Sequence, residues 1–149
     1  MNYSFYDFAQ LSANQLYQIL RLRQNVFVLE QKSFYDDIDN LDQQSKHLCV
    51  YSNTQQLMAY ARLRLVGDPA TIGKIERVVV DSHARGQGIA ANMMDEIMAY
   101  FQRDMEVRDV KLSAQVEVIN FYEKWGFNVT GDSYDDGGIE HKDMVISLN

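Results

Sequence analysis

Gly86 and Gly88 lie between an apolar strand-like run, Val78-Val79-Val80, and an apolar-periodic helix that begins near Ile89. That order builds an anion seat. Backbone N–H groups at a helix start point outward, and the helix dipole favours negative charge there. Glycine lets a phosphate approach the backbone where a Cβ would obstruct it. Arg85-Gly86-Gln87-Gly88-Ile89-Ala90 is therefore the candidate seat for a phosphate-bearing cofactor. A P-loop is excluded, because no Lys-Ser or Lys-Thr follows the glycines. A dinucleotide fingerprint is only approached: Ala91 stands at its last glycine, and no second unit with an acidic ribose-binding residue is evident. The plain alternative is a glycine-rich turn with no ligand.

Other residue types with chemical potential are sparse. His47, His83 and His141 have no metal-ligand spacing with each other or with Cys49, so no metal site is expected. Cys49 sits alone in the apolar run His47-Leu48-Cys49-Val50-Tyr51 and reads as a buried, inert thiol. The run Asp36-Asp37-Ile38-Asp39-Asn40-Leu41-Asp42 lacks the glycine and terminal glutamate of a calcium loop. With Glu30 and Gln31 it offers contacts to a cationic substrate, or else it is a solvated loop.

The elements that position these residues follow from period and punctuation. Tyr3 to Phe8 is a short strand. Ser12 is a helix N-cap with Gln15 completing a capping box, and the helix runs toward Glu30 with Leu16, Ile19, Leu20, Val26 and Phe27 on one face. His47 to Ser52, Gln56 to Val66 and Ile72 to Val80 are strands of a meander. A helix follows from about Gly88 to Arg103, with Ile89, Met93, Ile97 and Phe101 recurring every four residues. Val110 to Ala114 is a buried strand, Val118 to Trp125 a helix closed by Gly126, and Phe127 to Ser133 with Ile139 to Leu148 a final hairpin. The order predicts a single α+β domain over residues 1–149, with a central mixed sheet flanked by helices.

Net charge is −7, which opposes nucleic-acid binding and is compatible with cationic partners such as amines. No apolar run approaches the roughly 18 residues needed to span a membrane. The N-terminus lacks a basic segment followed by an apolar core, so a cytoplasmic protein is expected.

Arg85-x-x-Gly88-x-Ala90 resembles the pyrophosphate loop of the GNAT superfamily of N-acetyltransferases. Leu112 to Phe127, which contains Phe121-Tyr122 and Gly126-Phe127, resembles the strand–helix signature near the end of those domains. Val26 to Gln31, Asp36 to Asp39, Leu112 to Gln115 and Gly138 to His141 are similar to the ElaA-like subgroup. The resemblance implies the GNAT fold, its sheet mostly antiparallel and twisted, and an acetyl-CoA-dependent N-acetyltransferase. It implies pyrophosphate on residues 85–90, the pantetheine arm along Val78, Val79 and Val80, and Gln115 where many members carry an asparagine. Tyr122 would meet the CoA sulfur as general acid, and His141 would border the acceptor groove.

The acceptor would be a primary amine of a small molecule or peptide. A lysine-type amine with a pKa of about 10.4 carries a handicap of roughly 4.6 kcal/mol at pH 7, so a general base is useful. Glu76 is the candidate base: strand alternation puts it on the face of Val78 and Val80, with Arg77 pointing the other way. An ion-paired glutamate is its alternative, and a core aromatic is the alternative for Tyr122. The competing function is a non-catalytic acyl-CoA-binding sensor on the same fold. A C-terminal edge strand offers a surface for a homodimer.

Overall fold

The computed structural model describes residues 1–148. One seven-stranded sheet is built from β1 (Asn2–Asp7), β2 (Lys46–Tyr51), β3 (Leu57–Val66), β4 (Ile72–Val80), β5 (Asp109–Gln115), β6 (Asn128–Asp136) and β7 (Ile139–Ser147). The spatial order is β1-β2-β3-β4-β5-β7-β6. Every neighbouring pair is antiparallel except β4 and β5. That parallel pair is joined by a crossover through α2 (Ile89–Arg103), since two parallel strands need a long connection.

Alternation along β3 supplies both faces of the sheet with a core. Ala59, Ala61 and Leu63 pack with Met93, Met94, Ile97 and Phe101 of α2. Tyr60 joins Cys49, Tyr51, Leu57 and Val79 under Ile19, Leu22, Val26 and Phe27 on the opposite face. Cys49 is fully buried there, and burial pushes its thiol up to about 12. No helix among the described residues is long and apolar enough to cross a membrane.

The first helix starts as its sequence demands. Ser12 Oγ accepts from the Gln15 amide at 3.1 Å, and the Ser12 amide donates to Gln15 Oε1 at 2.9 Å. It does not continue as one helix, however. α1 (Ala13–Arg23) passes into a π-helical segment, Gln24–Glu30, where the Gln31 amide reaches back to Val26 O at 2.9 Å. The wider turn shifts the buried face. Leu22 and Arg23 are buried, and the expected Leu16 and Leu20 are only half-buried. The helix near Tyr122 is also shorter than its period suggests: α3 spans Ile119–Glu123 after a 3-10 turn at Val116–Val118.

The decisive departure is in β4. Arg62 pairs with Glu76 and Tyr60 with Val79, so Arg77 and Val78 together oppose Ala61. This is a β-bulge, and Arg77 takes φ +55 within it. The bulge resets the alternation. Glu76 and Arg77 both turn to the α1 face, where they meet Arg62 and Asp37. Val78 and Val80 pack toward the α2 face and Val79 toward the α1 face. The expectation that Glu76 shares a face with Val78 and Val80, with Arg77 opposite, is thus corrected.

Candidate functional site

β4 and β5 pair only from Ile72 opposite Asp109 to Ile75 opposite Leu112, and beyond that row they part. The bulge begins two residues later, so the splay and the break in β4 coincide. A cleft of about 1300 Å³ opens there. Gln31, Glu76, Val78, Ala90, Gln115, Tyr122 and His141 line it, which brings together residues from six separate places in the chain. Glu30 is outside this lining: its carboxylate is held by the Arg85 guanidinium at 2.6 and 3.1 Å. Arg85 also donates from Nε to Val80 O at 3.2 Å, so its side chain ties the loop back to β4. Val79 and Ile89 are core side chains, leaving only their backbone to meet a ligand.

The candidate seat is open at both glycines. Gly86 and Gly88 adopt φ +80 and +77, and no atom lies within 4 Å of where a Cβ would stand on either. A side chain would occupy that open space and would be strained at such angles. Gly88 begins α2 without a side-chain cap, and no acidic residue lies in the first turn. The early N–H groups of the helix therefore have no competing protein carboxylate.

At the other wall, Tyr122 is 9% exposed and packs edge-on against Phe121 and Phe127. Burial pushes its phenol up to about 12. Gln115, at the end of β5, donates from Nε2 to Gln31 Oε1 at 3.3 Å across the cleft. His141 Nδ1 donates to Ile139 O at 2.7 Å, and its ring stacks on Tyr134.

Beside the cleft lies an ion-pair network that the sequence reading missed. Arg23 and Arg62 are fully buried. Arg23 reaches Asp37 at 2.9 Å and Asp42 at 2.7 Å. Arg62 reaches Asp39 at 2.8 Å, Asp42 at 3.0 Å and Glu76 at 3.0 Å. Arg64 adds a second clasp on Glu76 at 2.6 Å, and Arg77 lies 2.8 Å from Asp37. Asp37 and Asp42 are thus buried and Asp39 half-buried, and arginines neutralise all three, whereas Asp36 is exposed. Burial pushes the Glu76 carboxyl up, but the Arg64 hydrogen bond and the charges of Arg62, Arg64 and Lys74 outweigh it and hold the group below its ordinary value. One signal was visible: Arg62 and Arg64 alternate within an otherwise apolar strand, so both had to face something polar.

Residues 10–148 match the acetyltransferase (GNAT) domain family. The chain belongs to the GNAT family. A UPF0039 protein of Synechocystis is 38% identical over 148 residues, covering 99% of this chain and 96% of the relative. Protein ElaA of Escherichia coli is 34% identical over 139 residues, 92% of this chain and 90% of its own. The ElaA crystal structure superposes with a TM-score of 0.89 at 32% identity and 97% coverage of both chains. An acyl-CoA N-acyltransferase of Pseudomonas aeruginosa gives the same score and coverage at 34% identity. The bulged, splayed β4 and the uncapped α2 are therefore parts of a GNAT fold.

In this GNAT domain the two sides of the cleft touch through the β6–β7 turn. A Cβ on Gly137, at φ +63, would stand 3.0 Å from Ser33 Cβ and 3.2 Å from Tyr35 Cδ1. Gly137→Ala is expected to strain the turn by about 1–2 kcal/mol and to push the hairpin off residues 33–35. A calorimetric melting curve should fall by roughly 2–8 °C. An unchanged melting temperature would mean that the turn relaxes without loss.

Proposed function

We propose that this protein is an N-acetyltransferase that moves an acetyl group from acetyl-CoA to a primary amine of a small molecule or peptide by direct attack. The observation that carries the reading is the parting of β4 from β5 beside Tyr122 on the cleft wall, with the open glycine turn before α2 reaching the cleft at Ala90. Residues 85–90 would bind the pyrophosphate through backbone N–H groups. The backbone of Val78, Val79 and Val80 would pair with the pantetheine arm, and Gln115 would hydrogen-bond it. CoA supplies an acyl group activated as a thioester.

The residues divide the work by their electrostatics. Tyr122 donates a hydrogen bond to the departing sulfur. A backbone N–H of the bulged strand would hold the acyl oxygen as it gains charge. Glu76 is too acidic to hold an amine proton directly. With a reference pKa of about 4.3 against about 10.4 for the amine, that transfer is uphill by roughly 8 kcal/mol, and its arginines increase the gap. Its role is to orient a water that relays the proton outward. Gln31 and His141, on the cleft walls, would contact the acceptor. Glu30 would act at the rim, where it holds Arg85.

The test is calorimetric titration with acetyl-CoA, with CoA, NAD and ATP as controls, followed by free-thiol release across an amine panel. Selective binding of CoA forms and amine-dependent thiol release are expected. Binding with no release for any amine would favour an acyl-CoA sensor. NAD or ATP binding in preference to CoA would overturn the assignment of the glycine seat.

A further inference from the structure

We propose that the acceptor amine also carries an anionic group, a carboxylate or a phosphate ester, and that Lys74 and Lys111 bind it. The inference rests on the acyl-transfer reading of the cleft and adds the chemistry of its acceptor. It begins with a row of charge. Register places Arg64 opposite Lys74 and Lys74 opposite Lys111, so three cations stand side by side on three neighbouring strands. Like charges directly opposite one another are destabilising in a sheet. The chain as a whole is acidic, with a net charge of −7, so a local cationic row is not a consequence of composition.

Of the three cations, Lys111 is unpaired among the described residues and Lys74 is only weakly paired. Arg64 is committed, with Nε and Nη2 both on the Glu76 carboxylate. Lys74 Nζ comes only within 3.8 Å of Glu76 Oε2, and the Glu76 carboxylate already serves Arg62 and Arg64. Lys111 is exposed and has no ion-pair partner among the described residues. Two carboxylates flank the row and keep their charge, each held by a neutral hydroxyl rather than by a lysine. Asp109 accepts from Ser147 Oγ at 2.9 Å, and Asp143 accepts from Tyr134 Oη at 2.6 Å. Asp136, at the far end of β6, also lines the cleft but lies outside this row. The cleft as a whole is balanced, but the row Arg64, Lys74 and Lys111 holds no carboxylate and ends on Val145, so the positive charge is local to it.

Position separates this pair from the donor's phosphates. Lys74 and Lys111 both line the cleft. They lie one row before Ile75 and Leu112, the last pair before the strands part. Lys74 is six residues from Val80, ~20 Å along the strand, so it stands far from the glycine seat. It is two residues, ~7 Å, from the level of Glu76. An acceptor whose amine sits at the splay and whose anion sits on the lysines therefore spans on the order of 7 Å, about the length of an extended dipeptide. Amine and anion would then bind at different levels of one cleft.

The experiment measures thiol release from acetyl-CoA with matched acceptors: alanyl-alanine and its C-terminal amide, glucosamine 6-phosphate and glucosamine, and spermidine. The charged member of at least one pair should lead its neutral partner by about tenfold in kcat/KM, and that preference should collapse in the K74Q/K111Q double variant. Which pair shows it separates carboxylate from phosphate. Equal use of charged and neutral partners, preference for spermidine, or an undiminished preference in the double variant would overturn the proposal. Calorimetric binding of the same probes to the CoA-loaded protein, or to the free protein if CoA does not bind, reads the lysine site without turnover. Loss of acetyl-CoA binding would count against the acyl-transfer reading, and failure of both anionic probes to bind better than their neutral partners would count against the lysine site.

Discussion

Tyr122→Phe is expected to lower kcat by about a hundredfold, at the lower end of what loss of one preorganised donor costs. The ring stays, so its edge-on packing against Phe121 and Phe127 is kept and the fold should melt as before. The size of the effect follows from the burial of the phenol, which pushes it up to about 12. Against a thiol of about 8.5, full transfer of its proton to the leaving sulfur is uphill by roughly 5 kcal/mol. In the proposed reaction Tyr122 would therefore act as a hydrogen-bond donor that keeps its proton. The sign for pH follows directly. The neutral, donating phenol is present at all pH values well below 12, so Tyr122 contributes no loss of rate on the alkaline side up to about pH 10. Rate should rise with pH as the amine loses its proton and then level off. A descending limb between pH 7 and 10 that vanishes in Tyr122→Phe would contradict this account.

The second large effect is on stability. Arg62→Met removes the guanidinium that joins Asp39, Asp42 and Glu76, and Arg62 is fully buried. Breaking a buried pair by deleting one partner costs about 3–5 kcal/mol, because the remaining charges lose their compensation. A fall in Tm of roughly 6–20 °C is expected at neutral pH.

The pH dependence has a definite sign. The Arg62 hydrogen bond holds the Asp39 carboxyl well below the usual range. Burial raises the Asp42 carboxyl, but Arg23 and Arg62 outweigh it and lower the group, as the arginines do for Glu76. Depressed carboxylates stabilise the fold above their unfolded pKa of about 4, and that stabilisation is lost as pH falls through the folded values. The gap between parent and variant should thus be wide at pH 7 and narrow at pH 3, read by thermal melts at both. A gap of equal size at the two pH values would refute the role assigned to Arg62.

Loss of that clasp would also reach the site. Glu76 leads directly into the bulge at Arg77 and Val78, and Arg77 is held from the other side by Asp37 and Asp39. The acidic loop is therefore part of the support of β4. It was open to reading as a substrate contact only while its partners were unknown.

What the sequence alone determined is local. The Ser12 cap, the approximate strand limits and the glycine turn before α2 each depend on residues within a few positions of one another. Steric and hydrogen-bonding rules at that range are written in the order of residues. The face of Glu76 was not, because alternation holds only along an unbroken ladder, and the bulge that breaks it is a property of β4 paired with β3. The partners of Asp37, Asp39 and Asp42 were likewise out of reach. Arg23, Arg62 and Arg77 meet them from 14 to 40 residues away. Opposite charges at such separations have no sequence period, and only the packing of α1, the acidic loop and the two strands decides which carboxylate each arginine meets. Tertiary structure also exposed the lysine row. Lys74 and Lys111 are 37 positions apart in the chain, and a parallel register that only the folded sheet defines sets them side by side.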